Sequence, residues 1–475
     1  MIQTDSELIR SEYVNISRRN FVGGVLAGSL GGTISPGAAQ PGSSAAALPD
    51  PRESGIEHIV VVTMENRSFD HLFGWIPGAD GKQAGLSYVD NNGTPHSTYP
   101  LAPDYTGCGH PDPDHSYGPS RVAYDNGLMD GFLRSGSNDI YAIGYYTAAD
   151  IPFYSALAQN FTVCDRYFVS ILGPTFPNRL FQWAAQTDRL DDTFSLTSLP
   201  TIFDRLAAAG ISHQYYFNNV PVLSFWGLKY LFSTSLFSTF LARAASGTLP
   251  AVSFVDPNFT VLDDGTGNDD HPHADIRNGD AFLSTIVHAL ISSPAWKNTV
   301  LIITFDEWGG FFEHVAPPRA AAPNNVDTDQ VNGQVLLGFR VPAMIVSPFT
   351  RNAGDSPQVD STLFDHTSAL KLIEWRWGLK PLTARDASTQ IGNPAAIMNF
   401  SSPDSSVPVL PVAVPVVAAA CSGGSIFDSS GQLSIANAGS GLTAARATSA
   451  WARLASSSIG RQWAEHPRFR EKASK

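Results

Sequence analysis

The chain has 475 residues, 43% of them hydrophobic and 15% charged, with 40 Gly and 33 Pro. That composition excludes a disordered chain or a coiled coil, and the length allows one large α/β domain or a few smaller ones. Lys and Arg number 30 against 43 Asp and Glu, a formal net charge of −13; a nucleic-acid binder relying on counterion release carries the opposite sign, so no nucleic-acid partner is expected and a bound cation is easier to accommodate.

Residues 1–48 read as a targeting segment and linker. Arg18 and Arg19 stand directly before a weakly apolar run, Phe21 to Ile34, diluted by glycines at 23, 24, 28, 31 and 32. The run is too short and glycine-rich for a transmembrane span, and small residues follow that suit cleavage after Ala39 or Ala47. It is similar to a twin-arginine export signal, which implies the twin-arginine export machinery as a partner and a secreted or periplasmic location.

From Ile56 onward, apolar β-branched runs alternate with helical patterns over a catalytic domain expected at 49–400. His58–Met64 and Thr299–Phe305 are near-continuous apolar strands, as in a sheet covered on both faces. Ala251–Val255 and Val341–Val346 read likewise, more weakly. Residues 76–150 are rich in Gly, Pro, Asp and Tyr and predict a long loop-rich insertion over the active-site edge. The spacing of Phe282, Ile286 and Leu290 predicts a helix over Asp275–Ile291, and that of Leu370, Ile373 and Trp377 another over Thr367–Trp377. The fold class is α/β, with helices packed on a mostly parallel sheet. Residues 401–475 form a tail of low complexity, with a short strand expected near Val407–Val417 and an amphipathic helix near Thr443–Leu454. Cys108, Cys164 and Cys421 are too few and too far apart for a zinc or iron–sulfur site; they read as buried small residues or as a Cys108–Cys164 bridge.

Chemistry collects where strands end, which is where ligands bind in open α/β sheets. Two of the strands run into acids, Glu65 with Asn66 and Asp306 with Glu307. Together these supply oxygen ligands for one divalent cation: calcium, magnesium, manganese or zinc. Gly309-Gly310 permits close approach of backbone. Gly173-Pro174 forces a turn, Thr175 is expected at a helix N-cap and Pro177 in its first turn, surroundings that suit a hydroxyl nucleophile or a phosphate. Histidines accompany acids in loops: His110 and His115, His271 and His273, and His366.

The motifs Glu65-Asn66-Arg67-Ser68-Phe69-Asp70-His71, Gly144-Tyr145-Tyr146-Thr147, Thr175-Phe176-Pro177-Asn178-Arg179, Asp306 through Val315 and Asp365-His366-Thr367-Ser368 stand in one order. They resemble the bacterial phosphoesterase family of phospholipases C and a related acid phosphatase. The resemblance implies an alkaline-phosphatase-like α/β/α sandwich and metal-dependent phosphoester hydrolysis through a phospho-threonine. It implies Glu65, Asn66, Thr175, Asp306 and Glu307 as metal ligands, Thr175 as nucleophile, and His115 and His271 as phosphate-contacting and leaving-group histidines, with His110 and His273 near enough to exchange roles. Arg179, His273, His314 and His366 are further candidates for substrate contact. Trp308 stands where the family has histidine or a small residue, and Glu313 where aspartate is frequent. The expected function is a phospholipase C-like hydrolase of phosphodiesters such as phosphatidylcholine, its head group met by aromatic rings of the insertion. The alternatives are an acid phosphatase acting on soluble monoesters and a non-catalytic head-group-binding protein.

Overall fold

Unbroken runs of valine and isoleucine make the centre of the molecule, because β-branched side chains pack well on a pleated surface buried on both faces. The structure, a computed structural model, describes residues 48–261, 266–354, 356–421 and 450–469. The twin-arginine segment lies outside the described residues.

Eight strands form the central sheet: β1 (His58–Met64), β2 (Thr162–Cys164), β3 (His213–Phe217), β4 (Thr234–Leu236), β5 (Val252–Val255), β6 (Thr299–Phe305), β7 (Met344–Val346) and β8 (Gln358–Asp360). Their spatial order is β8-β2-β7-β6-β1-β5-β3-β4. β1 runs parallel to β6 in continuous register, from His58 opposite Thr299 to Met64 opposite Phe305, and parallel to β5 on its other side. Only β7 runs against its neighbours, β6 and β2. The sheet is thus mostly parallel, as expected; Val341–Val346 yields a shorter, antiparallel strand than the sequence predicted.

Around it lie α1 (Phe69–Phe73), α2 (Tyr117–Tyr124), α3 (Pro152–Asn160), α4 (Thr175–Ala184), α5 (Phe237–Ser246), α6 (Ile276–Ile291), α7 (His366–Trp377), α8 (Ala450–Ser456) and α9 (Ser458–Ala464). α4 packs with α7, while α6 packs with α3 and α5. All seven residues of β6 are buried, so helices and loops cover both of its faces. Among the described residues no helix is long and apolar enough to cross a membrane.

Two expectations are corrected. Residues 407–417 form no strand, since Pro408, Pro411 and Pro415 remove the donors a ladder needs. Val416 N–H instead bonds the Asn278 side chain at 2.8 Å, and Ala413 N–H the Ser284 hydroxyl at 3.2 Å. The disulfide is Cys108–Cys421, joining the insertion to the tail across 313 residues, while Cys164 is free and buried. The expected helix over Thr443–Leu454 falls partly outside the described residues. Its described part, α8, is no loose appendage: Trp451 and Leu454 are buried in the same hydrophobic core as β1 and β6.

Candidate active site

Three neighbouring parallel strands end in acid. Glu65 follows β1, Asp306 follows β6 and Asp256 follows β5, and all three carboxylates meet one guanidinium, that of Arg179. Its Nη1 lies 2.8 Å from Asp256 and its Nε 3.2 Å from Asp306, while Nη2 contacts Glu65. Asp256 was missed by the sequence reading, although an acid directly after an apolar strand is the signal that marked Glu65 and Asp306.

Glu307 and Asn66 complete the crevice. Asp306 Oδ1 accepts from the backbone N–H of Asn66 at 3.2 Å and of Glu307 at 2.7 Å, which locks the two strand ends together. Asn66 adopts φ 55°, a left-handed conformation that asparagine tolerates. Gly309 has φ +65°, and a Cβ there would stand 2.0 Å from the Asn66 carbonyl oxygen; one on Gly310 would meet Pro113 at 2.5 Å. The paired glycines therefore let the β6 turn nest between the Asn66 turn and the insertion, where the sequence suggested a close approach to a bound ligand.

Glu65, Asn66, Asp306 and Glu307 are all fully buried. Burial, and then the nearby Asp306, push the Glu65 carboxyl well above its usual range; burial does the same to Glu307, with His115 opposing it. Glu307 Oε1 and Asn66 Oδ1 have no hydrogen-bond partner. Buried acids sharing one guanidinium, with two orphaned oxygens among them, make a donor set that fits a hard divalent cation. A second acidic group, Asp70, Glu313 and His314, also brings ligand atoms within 4.8 Å of one another. It holds a cation of its own: Arg340 Nη2 lies 2.7 Å from Glu313 and 3.4 Å from Asp70.

Thr175 is the first residue of α4, and Pro174 takes the N-cap position expected for it. The turn before it is fixed by Asn178, whose amide donates to the carbonyls of Ile171, Gly173 and Pro174 at 3.0–3.2 Å. Thr175 and Arg179 stand four residues apart and so share one face of α4.

An open cleft of about 730 Å³ leads to this point, lined by Pro174, His115, Asp112, Asp114, Asp191 and Asp192 among others. His115 Nε2 lies 3.6 Å from Glu307 and 3.4 Å from the Asn66 amide nitrogen. Burial opposes its charge, but Glu307, Asp112 and Asp192 outweigh that and push its pKa up to about 10. The His271 ring stands 6.5 Å from the His115 ring, with Nε2 3.8 Å from Asp112.

The other expected contacts are placed differently. His110 stacks on Tyr141 and bonds Asp139 at 2.8 Å, and His273 Nε2 lies 3.1 Å from the His110 carbonyl, so these two pair with each other rather than with His115 and His271. Arg179 has no exposed side chain and serves the carboxylates. His314 is bound to Asp70 at 2.6 Å and Asp80 at 3.1 Å. His366 is buried and donates from Nε2 to the Asp306 carbonyl at 2.7 Å; burial lowers its pKa to about 4, so it is a neutral prop of the β6 turn. These three were expected to touch substrate; each is instead taken up by the scaffold around the crevice. Trp308 is buried edge-on against Phe339, with ring centres 4.6 Å apart, and against Phe132 of the insertion. Four of the insertion's rings are already taken up by the protein itself. Tyr141 and Tyr146 are fully buried, and Arg121 and Arg277 already cover the rings of Tyr117 and Tyr105 at 3.2 and 4.2 Å.

The chain is 33% identical to non-specific phospholipase C6 of Arabidopsis thaliana over 372 residues, 70% of this chain and 71% of that protein. It is 31% identical to phospholipase C A of Mycobacterium tuberculosis over 425 residues, 74% and 78% of the two chains. With non-hemolytic phospholipase C of Pseudomonas aeruginosa it shares 28% over 457 residues, 82% of this chain and 64% of that one. Among solved structures, a protein in the alkaline phosphatase superfamily from Vibrio parahaemolyticus overlaps 74% of each chain at 10% identity, with a TM-score of 0.36, and nothing about the site is drawn from it. The Phosphoesterase family model matches residues 56–380, a span that runs from before Glu65 to beyond His366. The chain belongs to the Phosphoesterase family and is a phosphoric ester hydrolase.

Proposed function

We propose that the protein is an exported, metal-dependent phospholipase C-like enzyme that cleaves phosphodiesters with cationic head groups through a covalent threonine intermediate. The observation that carries this reading is Arg179. It gathers the carboxylates ending β1, β5 and β6 and stands on α4 four residues after Thr175.

Glu65, Asn66, Asp306, Glu307 and Thr175 would hold one divalent cation. Bound there, the ion supplies Lewis-acid stabilisation of phosphoryl charge and lowers the pKa of a coordinated hydroxyl. Thr175 loses its hydroxyl proton to solvent as its Oγ1–phosphorus bond forms and the bond to the leaving alcohol breaks in line; His271 gives that alcohol its proton and takes one back from the water that attacks in the second step. His115, 3.6 Å from Glu307 and lining the cleft, donates to the phosphoryl oxygens. Water then attacks the phospho-threonine, which still carries the head-group alcohol when the substrate is a diester, and restores the Thr175 hydroxyl.

The cleft favours a cationic head group. Asp112, Asp114, Asp191 and Asp192 line it against Arg453 and His115, an excess of negative charge that attracts a quaternary or primary ammonium. The phospholipases C among the relatives support a phospholipid substrate, and the Cys108–Cys421 bridge supports export to an oxidising compartment. The test is a panel of p-nitrophenyl phosphate, p-nitrophenylphosphorylcholine and phosphatidylcholine, with and without chelator. The choline diesters should turn over faster and only without chelator; a tenfold preference for the monoester would make the enzyme an acid phosphatase instead.

A further inference from the structure

The C-terminal segment enters the crevice. Trp451, on α8, donates its indole N–H to Glu65 Oε2 at 3.0 Å, on the opposite oxygen from Arg179. Its ring stacks on Phe259 with centres 4.1 Å apart and touches Phe176, next to Thr175, at 5.4 Å. The Arg179 guanidinium lies 5.6 Å from the same ring. One buried side chain thus contacts Glu65, Arg179 and the neighbour of Thr175.

The segment is anchored well enough to hold that position. Trp463 on α9 donates to the Gly227 carbonyl at 2.9 Å and stacks on Phe469, which packs on Phe217 of β3. Arg468 Nε donates to the Thr234 carbonyl at 3.1 Å. α8 and α9 are tightly joined, since a Cβ on Gly460 would stand 2.2 Å from the Leu454 carbonyl.

An indole N–H is a neutral donor. It satisfies one lone pair of Glu65 and fixes the carboxylate plane without cancelling its charge, which a second arginine there would do. We propose that Trp451 is a positioning residue that orients Glu65 for divalent-cation binding, so that the C-terminal segment completes the catalytic centre. This rests on the reading of Glu65 as a metal ligand.

The test compares full-length wild type, Trp451→Phe and Glu65→Gln, each stripped with chelator and titrated by calorimetry with Ca²⁺, Mg²⁺, Mn²⁺ and Zn²⁺ in turn. Thermal melts and turnover of p-nitrophenylphosphorylcholine at saturating cation are followed in parallel. Trp451→Phe keeps a ring on Phe259 and loses the N–H; its cation affinity should fall by about tenfold, the usual cost of removing an outer-sphere hydrogen bond. KM at saturating cation should stay within about twofold, because the indole does not reach substrate. Should the smaller ring unsettle α8, benzothienylalanine at 451 keeps the bicycle and removes the N–H alone. Unchanged cation affinity in a folded N–H-less variant, with Glu65→Gln losing the cation, would overturn the role of Trp451 and leave the metal reading intact. Cation binding that survives Glu65→Gln undiminished would overturn the metal reading itself.

Discussion

Nε2 of His115 lies 3.6 Å from Oε1 of Glu307, a carboxylate with no exposed surface. Burial disfavours charge on His115, yet Glu307, Asp112 and Asp192 together raise its pKa to about 10. Without a cation the ring therefore stays protonated throughout neutral pH. A divalent ion on Glu307 would take up that negative charge and lower the midpoint. Histidine-resolved NMR titration should show the high midpoint in chelator-stripped protein and a fall on adding the cation. A midpoint near 6.5 in stripped protein would contradict the pairing.

Glu307 should trade stability for function. Burial holds its carboxyl well above the usual range and outweighs the opposing pull of His115 3.6 Å away, so ionising it at neutral pH costs folding free energy. Glu307→Gln keeps the shape and drops the charge. Stripped of metal it should melt a few degrees higher than wild type while turnover falls by about a hundredfold or more. Lower melting with retained turnover would show that the carboxylate is structural.

Asp306 cannot be tested as cleanly. It accepts from two backbone N–H groups and pairs with Arg179, so Asp306→Ala should cost about 3 kcal/mol as well as activity. Urea denaturation checks the stability half of this.

The Gly309 approach can be separated from the strain of its backbone. Both Gly309 and Gly93 have positive φ, but a Cβ on Gly309 would stand 2.0 Å from Asn66 whereas Gly93 has nothing within 4 Å. Gly93→Ala should cost about 1 kcal/mol and Gly309→Ala about 3 kcal/mol or more, with loss of turnover. Equal costs in urea would mean that the close approach carries no energy.

Away from the site, Glu374 on α7 sets a pH trend. Burial, and then Asp386, raise its carboxyl from the usual 4.5 to about 9. Between those values the unfolded chain has released its proton and the folded chain has kept it, so stability falls as pH rises through that window. Glu374→Gln removes the loss. It should be more stable than wild type by about 2 kcal/mol at about pH 8 and nearly equal at about pH 5. Equal stability at both would place the carboxyl in contact with solvent.

Much of the frame was legible from the chain. His58–Met64 and Thr299–Phe305 emerge with the bounds their unbroken apolar runs suggested, and the acids that end them converge. Periodicity located α6 and α7 to within a residue. Relations between distant segments were not legible. Nothing local says that Cys421 pairs with Cys108, nor that Arg179 faces three strand ends instead of substrate. Trp451 was hidden in a Ser/Ala-rich tail. Its signal was a large aromatic residue in a stretch otherwise made of small ones, and only the tertiary position reveals that its N–H meets Glu65.

The central claim is that Thr175 attacks phosphorus, and turnover of p-nitrophenylphosphorylcholine by Thr175→Val against Thr175→Ser tests it most directly. Serine keeps the hydroxyl at the start of α4, whereas valine keeps the shape and removes it. The account predicts substantial activity in Thr175→Ser and a loss of about a thousandfold or more in Thr175→Val. If Thr175→Val retained about a tenth of wild-type turnover, the hydroxyl would be structural and water the attacking group.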